Sequence, residues 1–293
     1  MKQYLSFISL KSPAVLTVLL SAALTVSCDN REALNNNAYN NAGNGKLTLT
    51  SLKDNPIMRA SAENVWSGGE YVQVSIDNGP AVTFTADPNG NLTPVSPIYL
   101  QSSSQGISAR AWYPASWTFP VEQSGGLQPA DFIFASTVTG ITISNYADYP
   151  LVFRHRTAKV TVNLAAGTDI SSVTGAAVAF YGYTSGIADT SDAGDGVITG
   201  SGNDWITPQN SGSDTYTALL IPRDMTETRF VKVTLGGTDY FYTPSESEAD
   251  LQQGLAYTYD ITVHRTRLEV KVIVETGIVW GDGDEYDVIQ SPQ

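Results

Sequence analysis

The chain is poor in the residues from which most protein chemistry is built. Cys28 is its one cysteine, so no disulfide can form within the chain, and zinc sites made of several thiolates are excluded. His155 and His264 are its two histidines, too few for a histidine-rich metal centre. Charge is scarce too, at 15% of 293 residues, and it runs acidic: 16 Lys and Arg against 29 Asp and Glu give a formal charge of −13. No basic cluster is present, which argues against nucleic acid as a partner and against electrostatic docking on an anionic membrane. The sequence has no G-x-S-x-G, no phosphate loop and no H-E-x-x-H. These absences count against an enzyme, and no cofactor is implied.

What is present begins at the N-terminus. Lys2 and Lys11 form a basic region without acids, and Pro13 to Val26 is apolar, the length of a secretory signal core and shorter than the ~20 residues a membrane-spanning helix needs. The run ends at Ser27-Cys28. This resembles a bacterial lipoprotein signal, in which residues 1–27 are removed and Cys28 is acylated. Thr25 stands where such signals usually carry leucine, with Leu24 one place further out; the alternative is an ordinary secretory signal with an incidental cysteine. Residues 28–46 then read as a flexible tether, since seven asparagines follow Cys28 there and almost nothing can be buried to offset the entropy of ordering. Several acyl chains on one cysteine would anchor such a leash stably to a membrane, where a single chain would hold it only marginally.

From Leu47 onward the apolar period is two. Leu47, Leu49 and Leu52 form a short apolar run. Val72, Val74 and Ile76 share one face, Val82 and Phe84 repeat the pattern, and Val160, Val162 and Leu164 alternate with Lys159, Thr161 and Asn163. Leu268, Val270, Val272 and Val274 alternate with Glu269, Lys271 and Glu275. This is the signature of strands with one buried face. Gly236-Gly237 is a hairpin signal, and Asp87-Pro88-Asn89-Gly90 is a turn. Only the segment from Ser245 to Gly254 reads as helical, with Gly254 ending it after two turns. The expectation is an all-β body of two antiparallel β-sandwich domains in tandem, 47–150 and 151–293.

Several groups invite a chemical reading. Asp282, Asp284, Glu285 and Asp287 cluster near the C-terminus, and Asp189, Asp192 and Asp195 cluster earlier; oxygen ligands could hold calcium, but neither group has the spacing of a calcium loop. Solvated acidic turns are the simpler expectation. His155, flanked by Arg154 and Arg156, lies inside a strand pattern with no nucleophile recognisable near it, so packing or hydrogen bonding is expected of it and of His264. Trp66, Trp112, Trp117, Trp205 and Trp280 could form a sugar-stacking platform, although dispersed tryptophans more often pack into cores and rims.

Several stretches taken together resemble the fimbrillin family, the type V pilus subunits and relatives of Bacteroidetes. Phe153, His155, Ala158, Lys159 and Val160 are similar to the strand that opens that family's C-terminal domain. Tyr216, Leu219, Leu220, Ile221 and Pro222 match its tyrosine–apolar–proline strand. Leu251, Gly254, Tyr257, Tyr259, Ile261 and Val263 match its Leu-x-x-Gly-x-x-Tyr-x-Tyr-x-Ile-x-Val segment, and Trp280 its closing strand. At the other end Arg59, Ala60, Trp66, Gly69 and Glu70 fall on an Arg-Ala, Trp and Gly-acid series, with glutamate where aspartate is commoner.

The resemblance implies two transthyretin-like β-sandwich domains and a structural or adhesive role in surface fimbriae. It also implies export as a lipoprotein precursor, removal of the first strand by an Arg- or Lys-specific protease, and assembly with other fimbrial subunits by β-strand addition. Here the first strand would be Leu47 to Leu52, and Arg59 the cleavage position, with Lys53 the second choice. Partners would be other subunits, outer-membrane lipid through Cys28, and a ligand on a host or bacterial surface. The rival expectation is a monomeric outer-membrane surface lipoprotein that binds glycans through exposed tryptophans.

Overall fold

The computed structural model describes residues 45–53, 66–245, 247–275 and 284–290, and within these the chain is all-β. Cys28, Arg59 and Trp280 lie outside the described residues. Alternation of apolar and polar side chains builds seven strands first: β1 (Leu49–Lys53), β2 (Tyr71–Ile76), β3 (Ala81–Ala86), β4 (Asn91–Pro94), β5 (Ile107–Tyr113), β6 (Ile133–Ile141) and β7 (Leu151–His155). They hydrogen-bond in the order β1-β4-β3-β2-β5-β6-β7, and β7 pairs back onto β1, so the sheet is a closed barrel. Closure leaves these strands no free edge. Its interior is filled by Leu47, Leu49, Val72, Val74, Phe84, Leu92, Leu151 and Phe153, all fully buried.

Fourteen further strands follow: β8 (Ala158–Ala166), β9 (Ala177–Gly182), β10 (Ser185–Ala188), β11 (Ile198–Ser201), β12 (Asp204–Ile206), β13 (Gln209–Gly212), β14 (Thr215–Leu220), β15 (Arg223–Asp224), β16 (Val231–Leu235), β17 (Thr238–Tyr242), β18 (Asp250–Leu251), β19 (Ala256–Val263), β20 (Leu268–Glu275) and β21 (Asp284–Gln290). A six-stranded sheet, β13-β14-β8-β19-β20-β21, and a four-stranded one, β12-β9-β16-β17, contribute to a second core. Val160, Val162, Tyr259 and Ile261 enter it from the larger sheet; Phe180, Val231, Val233 and Tyr242 enter it from the smaller.

β6 serves both cores. Successive side chains on a strand point to opposite faces, so Ile133 and Ala135 fill the barrel while Phe132 and Phe134 face the second core. Arg156 lies over the Phe134 ring, 5.4 Å from its centroid, and pairs with Asp195 at 3.3 Å. Gly196 lies so close that a Cβ there would meet Phe134 at 2.5 Å.

Two details depart from the sequence expectation. β1 runs parallel to β7, and β8 parallel to β19, whereas an antiparallel arrangement was expected throughout. Parallel partners require a long crossover, here whole excursions of chain, so no local signal announces them. The segment expected to be a two-turn helix forms one 3-10 turn, Ser247–Ala249, and then β18. Tertiary bonds override its propensity. Tyr242 donates to the Glu248 carboxylate at 3.1 Å, Tyr259 donates to the Glu248 carbonyl at 2.8 Å, and β18 pairs with β15.

Candidate functional site

The first strand and its seat form the candidate site. Residues 45–53 run along three successive partners. Leu100 N donates to Gly45 O and Leu47 N to Ile98 O, both at 2.8 Å. Leu49 and Thr50 then pair antiparallel with Leu92 and Asn91 of β4, and Ser51 to Lys53 pair parallel with Leu151 to Phe153 of β7. The strand is therefore the stave that closes the barrel. Strict alternation sends Leu47, Leu49 and Ser51 inward. Leu52, the third leucine of the apolar run read from the sequence, is out of phase and only half-buried, and Ser51 takes the third inward place. Burial of Leu47 and Leu49 contributes roughly 1.5–3 kcal/mol each.

Ser51 is held by a small polar cluster. Its N–H donates to Gly90 O at 2.7 Å and its hydroxyl donates to the same carbonyl at 2.8 Å. The hydroxyl oxygen accepts from Trp66 Nε1 at 3.0 Å. Gly90 ends the turn that Asp87 organises by accepting the Asn91 side-chain amide and the N–H groups of Asn91 and Asn89, and these bonds, the side-chain one first, hold the Asp87 carboxyl below its ordinary range. Gly90 has φ +84°, and a Cβ on it would stand 2.3 Å from Ser51 O, so glycine is needed twice over. The sequence marked Gly90 as a turn residue; its contact with a strand some forty residues earlier left no local trace.

Trp66 packs edge-on against Tyr113 and Phe153, with centroids 5.7 and 5.3 Å away. Just after it, Glu70 accepts the N–H groups of Ser67 and Gly68 at 2.6 and 2.8 Å, which gives the Gly69-Glu70 pair a turn-fixing role. Lys53 Nζ sits 4.1 Å from the Trp66 ring centroid. Burial lowers the Lys53 ammonium below its usual value, and the charges of Glu70 and Asp131 oppose that. The described residues that flank 54–65, Lys53 and Trp66, are thus in side-chain contact. Lys53 itself is half-buried in β1, so a protease could reach its bond only by peeling the strand away.

The remaining candidates are dispersed. The Ser191 side chain, and then its N–H, hydrogen-bond Asp189 and lower its carboxyl, Asp192 accepts the Thr137 hydroxyl, and Asp195 pairs with Arg156. The three carboxylates thus serve three different partners. Asp282 lies outside the described residues, and Asp284, Glu285 and Asp287 fall on β21. His155 is buried with Nδ1 2.8 Å from Asp131, and His264 Nδ1 lies 2.9 Å from Asp169. Trp66 is buried; Trp112 stacks on Phe134, Trp117 packs against Phe119 and Phe132, and Trp205 against Tyr181 and Phe241. Lys232 Nζ caps the Trp205 ring at 4.8 Å. Among the described residues the tryptophans are packing elements at separate places.

A family model described as fimbrillin-like matches residues 31–278. No curated protein matches the chain in sequence. Among solved structures, a candidate cell adhesion protein from Bacteroides uniformis is 18% identical, with a TM-score of 0.64 over 80% of this chain and 98% of that one. A second candidate cell adhesion protein, from Bacteroides ovatus, is 15% identical, with a TM-score of 0.57 over 84% of this chain and 98% of that one. At such identities the likeness is one of fold.

Proposed function

The chain belongs to the fimbrillin-like family, and from that premise we propose that it is a structural or adhesive subunit of cell-surface fimbriae. It reaches the surface as a lipoprotein precursor held to the outer membrane through acylated Cys28. A protease then cuts after Arg59, β1 leaves, and a strand from a neighbouring subunit takes its place. The barrel and the second core together form the body of the subunit, and the assembled fibre meets a ligand on a host or bacterial surface.

The observation that carries this reading is the seat of β1. It is bonded on both sides, by β4 and by β7, and the described residues that flank 54–65, Lys53 and Trp66, are in side-chain contact. A cut within 54–65 would leave the strand held by non-covalent contacts alone. While β1 is in place the barrel has no open edge; once it departs, β4 and β7 each offer unpaired backbone groups beside an apolar groove, the condition for strand addition. Retaining β1 until export is complete would protect the precursor from premature aggregation.

The test is limited digestion of the folded chain with a trypsin-like protease. Cleavage at Arg59 should come first and be followed by slow growth of polymers that survive mild denaturant. Arg59→Ala should keep its fold, resist that cut and stay monomeric. Polymers formed by the variant at the unaltered rate would refute the proposal.

A further inference from the structure

The seat of β1 carries more than a backbone template, because one of its polar groups discriminates. Trp66 is buried, and its Nε1–H finds its acceptor in the Ser51 hydroxyl at 3.0 Å. A buried donor deprived of its acceptor costs its full desolvation penalty. Gly90 O, in contrast, is bonded by the Ser51 backbone N–H at 2.7 Å as well as by the hydroxyl, so it keeps a partner whatever side chain follows. The slot is also narrow. Ser51 O lies where a Cβ on Gly90 would fall, and the Trp66 ring is fixed edge-on between Tyr113 and Phe153.

We propose, resting on the strand-exchange reading above, that this slot selects the incoming strand by a hydroxyl. The strand that replaces β1 must place apolar side chains at the positions of Leu47 and Leu49. At the next inward position, against Gly90, it must place a serine that accepts from Trp66. The partner class is therefore a strand of another subunit with the pattern apolar-x-apolar-x-serine.

The same slot fixes the register. Slippage by two residues keeps the inward face inward, so apolar packing alone tolerates it, but it would bring Leu49 or Lys53 to the Trp66 donor. Leucine offers no acceptor, and lysine would bury an ammonium there.

The test uses the full chain with a specific protease site engineered into 54–65, nicked while folded. It is equilibrated with a labelled peptide of residues 45–53 and with unlabelled competitors. The unchanged peptide should exchange into the nicked protein. Ser51→Ala and Ser51→Val peptides should compete at least ~10-fold more weakly, the scale of one buried hydrogen bond. In a Trp66→Phe protein, which keeps an aromatic ring and removes the donor, that preference should shrink to less than ~3-fold. Equal competition by all three peptides in the unmodified protein would overturn the inference while leaving strand exchange standing. So would a serine preference that survives undiminished in Trp66→Phe. Failure of the unchanged peptide to enter would overturn the strand-exchange reading, and the inference with it.

Discussion

Gly90 and Ser51 meet where a turn and a strand touch, and each is there for a reason that its neighbours in sequence do not supply. Gly90 carries both a positive φ and the close approach of Ser51 O, whereas Gly69 has a similar φ, +94°, with nothing within 4 Å of a Cβ. The comparison separates two costs. Gly69→Ala should destabilise by about 1–2 kcal/mol, the strain of a left-handed backbone alone. Gly90→Ala should exceed it, by roughly 2 kcal/mol or more, because the backbone of β1 must in addition move aside. Denaturant melts of the two variants check this; equal losses would mean that the contact with β1 is slack. The turn role of Gly90 was legible in Asp87-Pro88-Asn89-Gly90. The serine was not, because a polar residue in an apolar run reads as a solvent-facing position unless its partner is known, and Trp66 lies fifteen residues away across segment 54–65.

At the scale of elements, strands with one clean buried face were the readable ones. β8 and β20 alternate as Ala158-Lys159-Val160-Thr161-Val162 and Leu268-Glu269-Val270-Lys271-Val272 require, and the Gly236-Gly237 hairpin between β16 and β17 has positive φ at both glycines. β6 was not readable in this way, since a strand buried on both faces loses its alternation, and neither were β11 and β13, whose short polar runs ITGS and QNSG have none to show. The parallel neighbours of β1 and β8 follow from tertiary pairing alone. β17 and β19 carry a prediction of their own. Burial raises the phenols of Tyr242, Tyr257 and Tyr259 above the ordinary value near 10, that of Tyr257 to about 12. Above pH 10 the unfolded chain releases these protons and the folded chain keeps them, so the unfolded state binds fewer protons and stability must fall as pH rises. Their contribution is complete below pH 10 and is lost progressively toward pH 12 and beyond. The second core should therefore open cooperatively in that range, with the buried tyrosines ionising together with loss of the β signal in circular dichroism. Among the described residues the barrel has no tyrosine in its fully buried core, and it should be the later to go. Smooth ionisation of every tyrosine near pH 10 with the fold intact would contradict the burial.

At the scale of the whole molecule, the proposed assembly involves three regions of the chain. On the proposed route Cys28 would fix the precursor to the membrane and Arg59 would be the cleavage position, and β1, which closes the barrel, lies between them in sequence. Cys28→Ala should abolish incorporation of a fatty-acid probe and release the precursor from membranes while leaving the melting temperature of the folded body unchanged. Normal labelling of that variant would place the lipid elsewhere. The central claim is that β1 is present in the precursor and absent from the assembled protein. Mass spectrometry of the N-terminus of the chain recovered from surface fimbriae tests it most directly. Cleavage after Arg59 should leave a mature chain that begins at Ala60, without Cys28, its lipid or β1; a chain that begins at acylated Cys28 and retains Leu47 to Lys53 would rule the strand loss out.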